Sequence, residues 1–471
     1  MSLKVYNTLT GRIEEIKPIE KNSFRMYSCG PTVYDVPHIG NFRAFLFFDL
    51  IKKYLCFLGY EVTHVMNVTD VDDKIIKRCN ENKEKLKDLT TKFGKIFIED
   101  AEKLGVEIPD YLPHATDHIA EMIDLIQLLI KKKYAYKTDN GSVFFNINSF
   151  TDYGKLSKID MDQLERTKRV SDDEYDKRNP QDFALWKAWK SEDGDIFWKS
   201  PWGNGRPGWH IECSAMSIKY LGCEFDLHCG GVDLQFPHHE NEIAQSVCAT
   251  GKSFVKTWLH CEHLLVDGSK MSKSAGNFYT LKNLFAKGYS SKAIRYLLTS
   301  SHYRQKVDLT DESLKGAEKS VRRLQEFNRR LSIISEGNHG SIENEEISVL
   351  DKFTLSMNND LNISEGLAVL FDWVRSINKK LDSNNVSVNE AANSLALLHN
   401  FDSILCFIDE RNLEISPQES ALIEEREVAR KKKNWLRSDE IRDHFRDKGI
   451  DLVDTPSGTI LKHLNDVLKR N

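Results

Sequence analysis

The sequence predicts an α/β protein whose parallel sheet is split by an insertion and followed by mostly helical chain. Three observations carry this: a strand, loop, helix and strand near the N-terminus, a return of the same alternation after residue 220, and helical periodicity from about residue 281. Residues 24–29 form a largely apolar run closed by Gly30 and Pro31, which reads as the first strand. After a loop to Gly40, Asn41 is the expected cap of a helix over 42–58, too uniformly apolar to be a surface helix and ended by Gly59. Residues 60–68 supply the second strand and complete the unit of a parallel sheet that binds nucleotides at its strand ends.

From 113 to 220 the pattern is mixed, with a helix, a hairpin near 141–147 and a Trp-rich stretch. Strand character resumes over 225–228, Gly230 and Gly231 are expected to make a tight turn, and a helix is expected over 238–248. Polar stretches at 336–346 and 382–390 mark boundaries in the helical part, and a small unit with a basic helix and a Gly-containing tail is expected from about Gln418.

Composition narrows the function classes. With 471 residues, 40% hydrophobic and 29% charged, the chain suits a soluble multidomain protein. It shows neither a membrane-spanning run nor a secretory signal, so the cytoplasm is expected. Nine cysteines, an odd number, favour free thiols or metal binding over a disulfide framework. A net charge of −5 gives no global attraction to nucleic acid, so any RNA contact must rest on local basic patches.

Several groups of residues point to chemistry. His38-Ile39-Gly40-Asn41 stands at a helix start, where backbone N–H groups and the helix dipole favour phosphate, the alternative being a loop with a satisfied histidine. Lys270-Met271-Ser272-Lys273-Ser274 places two lysines in a polar loop; alone it reads as a solvated basic loop, but together with the first motif it suits charge on a triphosphate and its leaving pyrophosphate. Cys29, Cys213, His238 and Glu242 are possible metal ligands, with His238 and Glu242 four residues apart on one helical face. Buried cysteines that are merely small hydrophobes remain the alternative, since no spacing brings Cys29 to Cys213.

The two phosphate motifs resemble the HIGH and KMSKS motifs of class I aminoacyl-tRNA synthetases, with Asn41 in place of the final histidine of the first. The resemblance sharpens to the cysteinyl-tRNA synthetase family through residues 29–35, 67–75, 206–213 and 238–242, and extends over essentially the whole chain. It implies one zinc ion on Cys29, Cys213, His238 and Glu242, selection of L-cysteine through its thiolate, ATP with Mg2+, and transfer to tRNA(Cys). It further implies a substrate pocket of Thr69, Trp209 and His228, an adenosine site at Gly230, Gly231 and Asp233, and catalytic roles for His38, Lys270 and Lys273, with His38, Gly40, Asn41 and Lys273 on ATP. Glu242 is the expected weak ligand.

The implied layout is a Rossmann-like catalytic domain over 1–112 and 221–280, an insertion over 113–220, a stem-contact and helical-bundle region over 281–417, and an anticodon-binding domain over 418–471. A monomer is expected. In the last domain Arg430, Trp435 and Asp439 are the expected tRNA contacts, an aromatic among cations being suited to stack on an unpaired base. A basic helix carrying Lys315, Lys319, Arg322, Arg323, Arg329 and Arg330 is a second candidate for phosphate contact. Two rivals are a ligase joining cysteine to an amino sugar and an RNA-binding relative without the chemistry. The long C-terminal part opposes the first, and the intact lysines and ligand set oppose the second.

Overall fold

The computed structural model describes residues 2–159, 181–271, 276–343, 345–408, 417–432, 434–447, 450–455 and 458–463. Its chain divides into two compact units, Met1–Ile408 and Asp409–Asn471. The first begins with a hairpin of β1 (Lys4–Asn7) and β2 (Arg12–Glu15), followed by β3 (Ser23–Ser28), α1 (Ile39–Phe57) and β4 (Glu61–Met66). Helices α2 (Asp73–Asn82), α3 (Leu86–Lys103) and α4 (Ile119–Lys131) lead into an insertion built of β5 (Ala135–Lys137), β6 (Val143–Phe145), β7 (Phe183–Ala188), β8 (Trp198–Ser200) and β9 (Gly203–Pro207). These five strands form one antiparallel sheet in the order β5-β6-β7-β9-β8. The expected hairpin is present, but its strands flank Gly141 instead of following it.

The main sheet then resumes. α5 (Trp209–Leu221), β10 (Glu224–Gly231), α6 (Glu240–Thr250) and β11 (Phe254–Cys261) complete a four-stranded sheet of order β11-β10-β3-β4, parallel throughout. Side chains alternate along β3: Phe24 and Met26 enter the core shared with α1, whereas Tyr27 enters the core on the opposite face with residues of α4, α5 and α6. Both faces are covered, so the strands are buried over most of their length even where they carry polar residues such as Asp226, His228 and His260.

Two expectations fail at this level. The N-cap of α1 is His38, not Asn41: the His38 ring accepts the Asn41 N–H at 3.2 Å while Asn41 Oδ1 accepts the His38 N–H at 3.1 Å. Gly230 and Gly231 are the end of β10, not a turn, because β11 offers them partners in His260 and Cys261.

After a small sheet of β12 (Leu264–Val266), β13 (Ser269–Lys270) and β14 (Val307–Leu309), the chain turns helical. It runs through α7 (Leu281–Ala286), α8 (Ser291–Thr299), α9 (Asp311–Ser335), α10 (Glu345–Asn358), α11 (Ile363–Asp382) and α12 (Val388–Leu405). The second unit has α13 (Pro417–Lys431), α14 (Trp435–Asp447) and a hairpin of β15 (Ile450–Thr455) and β16 (Gly458–His463), around a small core of Ile441, Phe445 and Leu452.

A fully buried ion pair joins α1 to α8. Arg295 donates to Asp49 Oδ2 at 2.6 Å and to the carbonyls of Leu405, Leu104 and Gly105 at 2.7, 3.1 and 2.9 Å. Burial alone would raise the Asp49 carboxyl, but the Arg295 guanidinium and Lys53 outweigh it and hold it below its ordinary value. Such a pair is costly to break because it leaves one buried charge alone. D49N should therefore lower the urea midpoint followed by circular dichroism, with a loss of about 3–5 kcal/mol. Because the folded-state value is depressed, the wild-type contribution is complete above the unfolded value of about 3.9 and lost as pH falls further, so the variant's deficit should shrink in acid.

Candidate metal centre and nucleotide cleft

Three segments meet at the carboxyl ends of β3 and β10. β3 stops at Ser28, so Cys29 is the first residue beyond it, and its N–H still donates to the Cys229 carbonyl of β10 at 3.2 Å. Cys213 lies in the second turn of α5, on its buried side. α6 is entered through a wide turn over Gln235–His239 that buries both His238 and His239 before Glu242 follows in the first turn of the helix.

One donor atom from each of Cys29, Cys213, His238 and Glu242 falls within 4.8 Å of the others. His238 Nε2 lies 3.1 Å from Glu242 Oε1. Cys29 retains 8% exposure, whereas Cys213 and His238 retain 1% and Glu242 none. The set therefore has one thiol toward the cleft and three donors behind it.

The four groups balance one another's charge. Burial, and the nearby Glu242 carboxylate, oppose ionisation of the Cys213 thiol, but the hydrogen bond from Cys29 and the interactions with His238 bring it down to about 6. Cys29 is pushed well up by burial and by its bond to Cys213, so Cys213 is the first of the pair to ionise. Burial works against the His238 imidazolium, yet Cys213 and Glu242 raise it to about 10. Burial would raise the Glu242 carboxyl, but His228 and His238 hold it down to about 2. Two sulfurs, an imidazole and a carboxylate, buried and converging, make a donor set that fits zinc; binding it requires His238 to release its proton.

A second tetrad overlaps the first. Cys29, His228, His239 and Glu242 also present donors within 4.8 Å, with His239 Nε2 at 3.2 Å from Cys29 Sγ. His239 Nδ1 is bonded to His260 Nε2 at 2.7 Å, and His260 Nδ1 to Thr8 Oγ1 at 2.7 Å. His260 and Thr8 were not among the residues picked out from sequence, and His239 stood only within the 238–242 stretch, without a role as a ligand. The doubled histidine at 238–239 is the one signal for His239, and helical periodicity assigns only one of the pair to the inward face.

Among the expected pocket residues, Trp209 opens α5 with 41% exposure and stacks on the His238 ring at 4.3 Å. His228 does not line the cleft: it is fully buried behind Glu242, with Nε2 3.0 Å from Glu242 Oε2 and its ring stacked on Trp258 at 4.5 Å. Thr69 is buried too, its hydroxyl donating to Glu212 Oε2 at 3.0 Å.

A cleft of about 420 Å³ connects this centre to the phosphate motifs, bordered by Cys29 and Trp209 at one part and His38, Gly40, Asn41 and Lys270 at another, with Gly231 and Asp233 also on its wall. The segment after the second motif pairs with the first: Ile39 N–H donates to the Tyr279 carbonyl at 2.8 Å, and His38 bridges Thr280. Hence the start of α1 offers fewer open donors than expected, since Ile39 and Asn41 N–H are both used. The cap also fixes a tautomer, because His38 Nδ1 accepts and the ring proton must sit on Nε2, the form that donates to a phosphate oxygen. A Cβ at Gly40 would stand 3.0 Å from His38 Nδ1, and one at Gly230 only 2.4 Å from His239 Cε1, so both glycines admit a histidine ring. Lys270 is exposed at the end of β13; Lys273, with 272–275, lies outside the described residues.

The expected RNA contacts fare unevenly. On α9, Lys315, Arg322, Arg329 and Arg330 pair with Asp311, Glu318, Glu326 and Asp382, and Arg323 lies over Phe371, so much of this basic face is internally neutralised. In the second unit the basic stretch is not one helix: Arg430 lies near the end of α13 and Trp435 starts α14 with 56% exposure. Asp439 pairs with Arg442 at 3.8 Å.

Comparison with known proteins gives consistent matches. Residues 15–319 match the family described as tRNA synthetases class I (C) catalytic domain, and residues 352–409 match the DALR domain. The chain is 49% identical to the cysteine–tRNA ligase of Brachyspira hyodysenteriae over 465 residues, covering 96% of this chain and 98% of that one. It is 44% identical to the cysteine–tRNA ligase of Protochlamydia amoebophila, with 98% of each covered. Among solved structures, Mycobacterium tuberculosis methionyl-tRNA synthetase in complex with methionyl-adenylate superposes with a TM-score of 0.57 at 13% identity, covering 82% of this chain and 90% of that one. A putative arginyl-tRNA synthetase from Campylobacter jejuni gives 0.57 at 14%, covering 83% and 94%. At such identities these two structures speak to fold alone, and with the sequence matches they lead to one conclusion: the chain belongs to the cysteine–tRNA ligase family of class I aminoacyl-tRNA synthetases.

Proposed function

We propose that the chain activates L-cysteine with ATP and transfers it to the 3′ end of tRNA(Cys), releasing AMP and diphosphate, with selection made at the Cys29, Cys213, His238 and Glu242 centre. The observation that carries this is a single cleft bordered by both a thiol-bearing centre and the two phosphate motifs. Zinc bound by those four residues would supply a soft Lewis acid that favours a thiolate over the hard hydroxyl of serine.

The chain's own residues then do the following. His228 holds Glu242 Oε2, which leaves Oε1 toward His238 and Cys29. Trp209, stacked on His238, closes over a small side chain at the cleft. His38 presents Nε2–H to a phosphate oxygen, and Lys270 with Lys273 neutralises charge growing on the departing diphosphate, while ATP carries Mg2+. Asp233, exposed on the cleft wall past Gly230 and Gly231, accepts from a ribose hydroxyl. The amino-acid carboxylate attacks the α-phosphate in line, and a terminal ribose hydroxyl of tRNA attacks the resulting adenylate, so positioning and charge provide the rate. Arg430, Trp435 and Asp439 of the second unit contact the tRNA.

Charging of unfractionated tRNA with labelled cysteine, ATP and Mg2+ should give acid-precipitable label that excess serine does not reduce. Cysteine-dependent pyrophosphate exchange without tRNA label from any tRNA source would refute the transfer step. X-ray absorption at the zinc edge should count two sulfur ligands, falling to one or to metal loss in C213S together with cysteine activation; one sulfur in the wild type would favour the overlapping tetrad. K270A should reduce kcat of pyrophosphate exchange by about 10²–10³-fold with cysteine KM little changed, and a KM effect alone would remove Lys270 from the charge-neutralising role.

A further inference from the structure

Cys29 and Cys213 come from distant segments, and a buried run of hydrogen bonds connects the residues beside them. Gly30 N–H donates to Asn67 Oδ1 at 3.0 Å, Asn67 Nδ2 to Thr69 Oγ1 at 3.1 Å, and Thr69 Oγ1 to Glu212 Oε2 at 3.0 Å. The polarity of this run follows from its first donor. A backbone N–H can only donate, so the Asn67 oxygen faces Gly30, its amide nitrogen faces Thr69, and the one Thr69 proton is left for Glu212. Asn67, Thr69 and Glu212 are all buried.

Glu212 occupies a fully buried place on α5 where an apolar residue is the ordinary choice, and its Oε1 has no hydrogen-bond partner among the described residues. Core packing therefore does not account for a carboxyl there, whereas the Thr69 bond does. The other end is equally constrained. A Cβ on Gly30 would lie 1.7 Å from the Asn67 carbonyl oxygen, and Thr69 N–H donates to the Pro31 carbonyl at 3.0 Å, so the loop after Cys29 is seated directly on the loop after β4.

We propose that Asn67 and Glu212 are positioning residues that set the separation of the Cys29 and Cys213 sulfurs, and through it the preference of the centre for a thiol over a hydroxyl amino acid. Each end of the run is one residue from a sulfur-bearing residue, so loss of a middle link frees α5 to shift against the β3 loop. A metal held by two thiolates at about 2.3 Å each tolerates little change in their spacing. The inference rests on the cysteine-activating reading given above.

The test measures kcat and KM of cysteine- and serine-dependent pyrophosphate exchange in the wild type, E212Q, E212A and N67D. The absorption spectrum of each cobalt(II)-substituted protein, whose thiolate-to-cobalt band reports the sulfur ligands, is recorded alongside. Gln still offers Thr69 an acceptor, so E212Q should stay within about twofold of wild type. E212A removes the acceptor, and N67D keeps the bond to Gly30 but offers Thr69 no donor. Both should raise cysteine KM by about tenfold, as expected for a severed buried hydrogen bond, raise the serine-to-cysteine ratio similarly, change kcat less, and alter the cobalt band.

Unchanged KM and an unchanged cobalt spectrum in E212A and N67D would overturn the proposal, as would equal losses in E212Q and E212A. Should E212A fail to fold, N67D against E212Q decides. A wild type inactive in exchange would defeat the functional reading instead, with the cobalt spectra still deciding whether the run spaces the sulfurs.

Discussion

The parallel pairing of β3 with β10 is the constraint on which the rest depends. It joins Met26, Tyr27 and Ser28 to Leu227, His228 and Cys229, so residues about two hundred positions apart become neighbours at one level of the sheet. Everything chemical stands on that level. Cys29 leaves the end of one strand, Gly230 and Gly231 close the other, and α5 and α6 dock on the same face, so donors from three separate segments of the chain converge. The insertion sheet can lie between the halves because a parallel strand pair needs a long crossover in any case.

Within that frame the centre is an exercise in compensated burial. An isolated carboxylate as deep as Glu242 would be strongly disfavoured, and so would a lone imidazolium or thiolate. Here His238 lies between Cys213 and Glu242 and answers the charge of both, and the apolar floor of Tyr27, Phe225 and Trp258 packs beneath them. The low dielectric that makes each charge expensive alone also strengthens their mutual attraction. His260 and Thr8 extend the polar core outward behind His239, so the ring orientations are set from behind as well as from the cleft.

Legibility in the sequence followed the reach of the physical signals. Strand β3 was readable to within a residue because Gly30 and Pro31 punctuate it, and α1 was readable as a buried helix because its apolar residues run all round. Its first turn was misjudged, since a histidine ring capping a helix has no strong propensity signal and Asn41 does. The glycines ending β10 resembled a turn because the partner strand that keeps them extended is invisible locally. The His238 and Glu242 pair was readable from its four-residue spacing, whereas its link to Cys29 and Cys213 came from the family resemblance, and the contact of His228 with Glu242 has no local signal. The Asn67, Thr69 and Glu212 bonds were beyond sequence reasoning, because each depends on loops that meet only after the sheet has closed.

The split of the sheet also bears on how the protein is made. As the chain emerges from the ribosome, β3, α1 and β4 can assemble early as a local unit, but β3 then presents one unpaired edge until Glu224 and the residues after it have been synthesised. An open apolar strand edge is a template for wrong partners. For that interval Cys29 and its loop stand beside an unfilled place in the sheet, and the nascent chain's exposure to misassembly is set by how long the insertion takes to translate.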